Sequence, residues 1–313
     1  MSLGLLFAVV SAFLFGSYLF VIKRYFSAYP ATVYVFLAFA FALGWYVPVA
    51  LVTVDGSFFP AGFGRTGVLV LAATVGFTLV GNLTFFRAIA VGAVSYVAPI
   101  SKVIPVFVLP LEVLLLDQYL STLQVVGVVV ATIAIYVANY RPGELLEPLQ
   151  RAVSARPAQF ALASAASFAV VDVGKRTLMQ ELSVPPQTFV VVLFATLTAS
   201  LAPIAARNWP SAALDSSSTA ADGGTATVTE KVRVDVRGDL PKFAATGLLL
   251  ATANHVAMYA FGALPASVAS PIVNTQAVVA VVLGGLLLGE EHFRIRLVAA
   301  GLAVVGVTII ALG

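Results

Sequence analysis

"YVAPISKVIPV", residues 96–106, holds a lysine midway between two prolines in an otherwise oily run, and "VASPIVNTQAV", residues 268–278, repeats its frame 172 positions later. Aligned at that offset, 82–116 and 254–288 agree at 10 of 35 positions. Leucine and alanine matches between apolar segments carry little weight. Asn82/Asn254, Ser95/Ser267 and Pro99/Pro271 carry more, because polar and helix-breaking residues rarely coincide by composition alone. The first helices of the two halves echo each other too: "SAFLFGSYLFVIKR" (11–24) matches "SAASFAVVDVGKR" (164–176) with one gap. The chain reads as a duplication.

The surrounding composition sets the solvent. Of 313 residues 60% are hydrophobic and 10% charged, and the mean hydropathy of +1.02 is that of a membrane protein. Apolar stretches near 3–22, 31–54, 67–90, 94–116, 122–139, 158–180, 187–206, 243–263, 267–288 and 295–312 are continuous and close to the ~20 residues that a helix needs to cross a bilayer. They are too long and too unbroken for alternating barrel strands. The first follows no basic leader and precedes no small-residue cleavage site, so it predicts a transmembrane helix rather than a removed signal peptide. With no cysteine, disulfides and thiolate chemistry are excluded. The net charge of +3 comes from basic residues near helix ends, as in any oriented membrane protein, and does not indicate nucleic acid.

Ten spans give five per half, and an odd number makes the second half enter the membrane from the opposite face. The expected fold is an all-α membrane protein of ten transmembrane helices, arranged as two inverted five-helix repeats. Residues 1–140 form the first repeat, 141–157 a linker, and 158–313 the second, interrupted by a Ser-, Thr- and Gly-rich insertion near 208–240 that predicts disorder. Inverted repeats place substrate near the bilayer midplane at their interface. Asn82 and Lys102 lie ten residues either side of the turn near 92, and Asn254 and Asn274 ten either side of the turn near 264, with His255 adjacent. Ten residues is about 15 Å, half the hydrocarbon thickness.

A lysine at that depth costs roughly 2.5–3.5 kcal/mol to insert, so it should face protein or water. Lys102, Asn82, Asn254, His255 and Asn274 are therefore the candidate substrate-binding residues, with Tyr18 and Tyr259 as cavity-lining candidates. Pro99 and Pro271 each remove a helix hydrogen bond one turn after Ser95 and Ser267, marking helix breaks. Asp172 has Lys175 at i+3; the spacing fits either a structural ion pair or a coupling site. Glu112 sits close enough to a helix end to snorkel.

"LLLGEEHFRIRLVAAGLAVVGV" (286–307) resembles the apolar helix, Gly-Glu turn and glycine-containing last helix of EamA-type proteins in the drug/metabolite transporter superfamily. "LLLDQYLSTLQVVGVVV" (114–130) is its first-half counterpart, with Asp117 and Gln118 in place of Gly-Glu, and "FLFGSYLFVIK" (13–23) resembles the family's first helix with Phe15 where tryptophan is common. Outside 140–157 and 208–242 the resemblance spans the chain. It implies a secondary transporter working by alternating access on a small polar metabolite such as an amino acid, export rather than uptake, coupled to protons or to another gradient. Glu290 and Glu291 then cap the last helix. Uptake of a sugar or nucleoside-like solute stays open, as do a membrane enzyme and a structural membrane protein. Against the enzyme, His255 and His292 share no H-E-x-x-H spacing and no G-x-S-x-G occurs. No metal or cofactor is expected, and no phosphate-binding loop that would make the chain its own ATP-driven pump is present.

Composition rich in Ala, Val, Gly and Arg points to a prokaryote and hence to its cytoplasmic membrane. Alternating the ten spans puts 13 basic residues on one side and only Arg65, Lys175 and Arg176 on the side of the termini. The positive-inside rule then predicts external termini, whereas the resemblance implies cytoplasmic ones.

Overall fold

A computed structural model describes residues 3–26, 28–54, 56–91, 97, 100–101, 104–116, 121–139, 154–210, 235–288 and 293–312. Among them every regular element is helical: α1 (Leu3–Tyr25), α2 (Ala31–Thr53), α3 (Arg65–Val91), α4 (Ile104–Leu116), α5 (Thr122–Asn139), α6 (Arg156–Arg176), α7 (Pro186–Arg207), α8 (Leu240–Ala263), α9 (Ala266–Asn274), α10 (Gln276–Leu288) and α11 (Phe293–Leu312). The all-α expectation holds. Six helices among the described residues are long and apolar enough to cross a membrane, fewer than the ten spans read from sequence. Exposed leucines and valines such as Leu3, Leu51 and Val52 ring the outside, as lipid-facing residues do.

The helix expected over 267–288 is divided. Thr275 ends α9 by donating its amide and its Oγ1 to the Ile272 carbonyl, at 3.1 and 2.7 Å, and α10 starts one residue later. The helix expected over 158–180 runs further, through a π-helical turn at Thr177–Glu181 in which the Leu182 amide reaches back to the Thr177 carbonyl. Gln180 leaves this turn to donate to the Phe261 and Leu264 carbonyls at 2.8 and 2.7 Å, satisfying orphan acceptors at the end of α8.

Cross-helix contacts fix the direction of six helices. Gly4 packs on Ala263 and Leu264, and Gln187 donates to Thr53, so Leu3, Thr53, Gln180, Gln187 and Ala263 share one end, called here the near end. Tyr29 bonds Asp239 and Asn208 bonds Thr32 at the far end. Thr74 lies against Gly174 and Gly81 against Ser164, so α3 is antiparallel to α6. It follows that α1, α3 and α7 run from the near end to the far end while α2, α6 and α8 run back. Each of α1, α2 and α3 is opposed to its repeat mate, α6, α7 and α8.

Packing obeys the same exchange: α1 on α8 answers α6 on α3, α1 on α10 answers α6 on α4, and α2·α7 and α5·α11 pair with themselves. Lipid supplies no hydrophobic drive for helix association, so close contact must come from small residues. On α1 the buried side is Gly4, Ala8, Ser11, Ala12 and Gly16; on α6 it begins Ala158, Ala161, Ser164, Ala165. At Gly247 on α8 a Cβ would stand 2.6 Å from the Phe41 Cβ and 2.8 Å from the Ala42 amide nitrogen of α2, and backbone cannot yield as a side chain can. Gly247→Ala should therefore cost about 1–3 kcal/mol, the usual penalty of overpacking, and lower the melting temperature of the purified protein. Gly44→Ala, where nothing lies within 4 Å of the added carbon, should not lower it, alanine being the better helix former by about 0.5–1 kcal/mol.

Candidate functional site

Most polar side chains in these helices satisfy themselves. Thr74, Thr78, Asn82, Ser167, Thr246, Asn254 and Asn274 each donate to the carbonyl four residues earlier, at 2.7–2.9 Å. Asn82 and its mate Asn254 make the same bond, nine residues before the ends of α3 and α8. With α3 and α8 opposed, the two asparagines sit at mirrored depths, each about 14 Å from its own end. Their Oδ1 atoms, and that of Asn274, accept no hydrogen bond from a described residue.

The exceptions to self-satisfaction cross between helices. Tyr46 of α2 is buried, and its hydroxyl meets His255 Nδ1 of α8 at 2.5 Å. Tyr259, one turn on from His255, sets its ring edge-to-face on the imidazole at 5.0 Å, and Phe7 of α1 lies 5.5 Å beyond. Four aromatic rings thus cross from α2 over α8 to α1. The Tyr259 end borders a near-end recess of about 320 Å³ whose walls include Phe7, Met179, Val184, Met258 and Gly262. His255 and Tyr259 were both expected from sequence; Tyr46 was not, because its partner lies 209 positions away.

Asp172 and Lys175 form the ion pair their spacing predicts, at 3.0 Å, both largely buried, with the ammonium 4.9 Å from the Phe261 ring centroid. Tyr18 lies apart from the His255 group, its ring 6.5 Å from Tyr34. Asn274 closes α9, also donating to Ser270 Oγ at 3.2 Å. Pro271 falls inside α9. Lys102 and Pro99 lie outside the described residues, as does Ser95.

At the far end, Phe26, Tyr29, Tyr34 and Phe243 are buried together, with ring centroids 4.5–6.1 Å apart. Tyr29 Oη donates to Asp239 Oδ2 and Lys242 Nζ to Asp239 Oδ1, each at 2.6 Å, tying the α1–α2 turn to the start of α8. The lysine and then the tyrosine hydroxyl hold the Asp239 carboxyl below the usual carboxylate range. Burial, and then the carboxylate, push the Tyr29 phenol up. The counterparts of this aromatic plug in the second repeat, Leu178, Val184, Phe189 and Leu71, are buried but carry no such polar clasp. One end is sealed by aromatic rings plus charge, the other by Phe189 among aliphatic side chains.

Opposed, duplicated helices with lipid-facing exteriors define a multi-pass membrane protein. The model of the EamA-like transporter family matches residues 2–140 and again 156–312, and the chain belongs to that family, whose members are transporters of the drug/metabolite superfamily. No curated protein matches the sequence. A solved structure described only as "Crystal structure of protein" superposes with a TM-score of 0.70 over 99% of this chain and 96% of that one, at 14% identity, which supports the fold alone.

The far-end clasp has a pH signature. A carboxyl lowered in the folded state contributes fully above its unfolded value, about 3.9, and loses that contribution as pH falls through the lower folded value. The melting-temperature difference between wild type and Asp239→Asn should be constant near neutrality and shrink below about pH 4, as followed by tyrosine and tryptophan fluorescence.

Proposed function

We propose that this protein is a secondary carrier that moves a small polar metabolite, of amino-acid type, across the cytoplasmic membrane by alternating access, in the direction of export. Residues 1–140 and 158–313 act as two five-helix units of ten spans in all, joined by 141–157, with the solute held between them at mid-depth. The observation that carries this reading is the opposition of α1, α2 and α3 to α6, α7 and α8, with Asn82 and Asn254 at mirrored depths. Alternating access requires two units able to exchange roles about a central site.

The donor and acceptor inventory favours a zwitterion. With one N–H of each amide committed to backbone, Asn82, Asn254 and Asn274 offer carbonyl oxygens to an ammonium, while Lys102, the repeat mate of Asn274, offers a cation to a carboxylate. Tyr18 and Tyr259 line the path. Pro99 and Pro271, with the break at Thr275, let the helices that carry these groups bend. Asp172 with Lys175, a largely buried ion pair, supplies the coupling and gives the gradient a place to act.

Two measurements test the proposal. Counterflow of radiolabelled amino acids, sugars and nucleosides in proteoliposomes should show flux for amino acids that falls at least tenfold in Lys102→Ala, the loss of one charge-assisted hydrogen bond. Flux of every solute unchanged by that substitution removes the lysine from the site.

Orientation follows from charge. Lys23, Arg24, Arg87, Arg156, Arg207, Arg237 and Lys242 gather toward the far end, against Arg65, Lys175 and Arg176 toward the near end, which supports a cytoplasmic far end. As the protein contains no cysteine, an impermeant maleimide applied to intact cells should label a cysteine at Ser2 and spare one at Ser217. The reverse pattern would place the termini inside.

A further inference from the structure

The Tyr46–His255 contact leaves a choice of which atom carries the proton, and the rest of the structure decides it. Neither side chain makes a second hydrogen bond to a described residue. If the imidazole donated from Nδ1, the hydrogen of the buried Tyr46 phenol would lack an acceptor and the Nε2 lone pair would lack a donor, leaving two groups unmet by the described residues. If the phenol donates, its hydrogen and Nδ1 are both satisfied and a single strong group, Nε2–H, is left over. The phenol is also the better donor of the two and imidazole the better acceptor.

We infer that Tyr46 fixes His255 in the tautomer with Nε2 protonated, so that the ring serves as a neutral hydrogen-bond donor to solute and not as a proton carrier. Resting on the transport reading above, the inference narrows its substrate class: the solute brings an acceptor, a carboxylate or carbonyl oxygen, to His255. Tyr259, packed edge-to-face on the ring and bordering the near-end recess, restrains the imidazole from rotating out of the pair. Protonating His255 would require Nδ1 to give up Tyr46 as donor and turn it into an acceptor. Among described residues no charged side chain is paired with the ring to compensate, and the groups in contact with it are Tyr46 of α2 and Tyr259 of its own helix. Tyr46 is thus a positioning residue: it acts on the solute only through the histidine.

The chain has only two histidines, so nitrogen-15 NMR can read the tautomer directly. With His292→Gln removing the other signal, full-length protein labelled at histidine should show a bare Nδ1 and a protonated Nε2 near neutral pH, and Tyr46→Phe should convert this to a mixture of tautomers. A protonated Nδ1 in the otherwise wild-type protein, or a spectrum that Tyr46→Phe does not alter, overturns the inference. In counterflow of a radiolabelled amino-acid mixture, His255→Gln, which places an amide near Nε2, should retain flux, whereas His255→Asn, whose amide reaches only the Nδ1 position, should lose about tenfold, the value of one buried hydrogen bond. Equal losses in both variants also count against it. Where Tyr46→Phe fails to fold, the unsubstituted spectrum and the Gln/Asn pair decide. Absence of flux for every solute in wild type would instead refute the carrier reading, and leave the NMR result standing or falling by itself.

Discussion

A bilayer interior offers no water to a polar side chain, so each one must be answered by the protein. In this structure the common answer is local: threonine, serine and asparagine side chains fold back onto carbonyls of their own helices, as Thr74, Thr78, Asn82, Asn254 and Asn274 do. Such residues ask nothing of a neighbour, which is what permits helices to move against one another without stranding a polar group. The contacts that do cross helices then stand out as commitments. Tyr46 with His255 commits α2 to α8, and Tyr29 with Asp239 commits the α1–α2 turn to the start of α8. Both converge on α8, 24 residues long, which carries Asn254 and His255 among apolar residues, and α1 and α2 pack on it and help to shield these polar groups.

Shielding demands proximity, and proximity is set by what is missing from side chains. Gly16 meets α10 at Gln276 and Val279, and Gly247 meets the backbone of α2. The small-residue side of α1 faces α8 and α10, and that of α6 faces α3 and α4, so the interfaces that the repeat exchange relates are built from the same material. Symmetry is broken where polarity enters. The far end joins aromatic rings to a carboxylate and a lysine, while the equivalent near-end cluster of Leu178, Val184, Phe189 and Leu71 has apolar side chains.

Much of this was legible in the sequence because it depends on local periodicity. Apart from the runs at 94–116, matched by α4 only from Ile104, and at 267–288, which is divided, long apolar runs gave helices whose ends agree with the structure to within a few residues; the offset of 172 exposed the duplication, and Asp172 with Lys175 could be paired because i and i+3 share a helix face. What stayed hidden depends on distant positions or on geometry finer than hydropathy. Tyr46 reads as one more aromatic in an oily helix until α8 brings His255 to it, and Asp239 reads as a turn residue at the edge of a polar insertion until Tyr29 arrives from the other repeat. The split at Thr275 follows from a threonine bonding its own preceding turn, a choice that an apolar run does not announce. Depth could be counted from the hairpin turns; which way a mid-membrane asparagine directs its amide could not.

The π-helical turn at Thr177–Glu181 carries a consequence of its own. A wide turn takes up one residue more than an α-turn of the same role, and only with that residue present does Gln180 come round to meet the last carbonyls of α8. Removing any single residue there would let the segment rewind and swing the glutamine by about 100°, leaving the Phe261 and Leu264 carbonyls without it. Apart from Gln180, spelling at this bend is therefore free to drift while its length is not, so among related chains a gap at these five positions should be rarer than a change of letter at the other four.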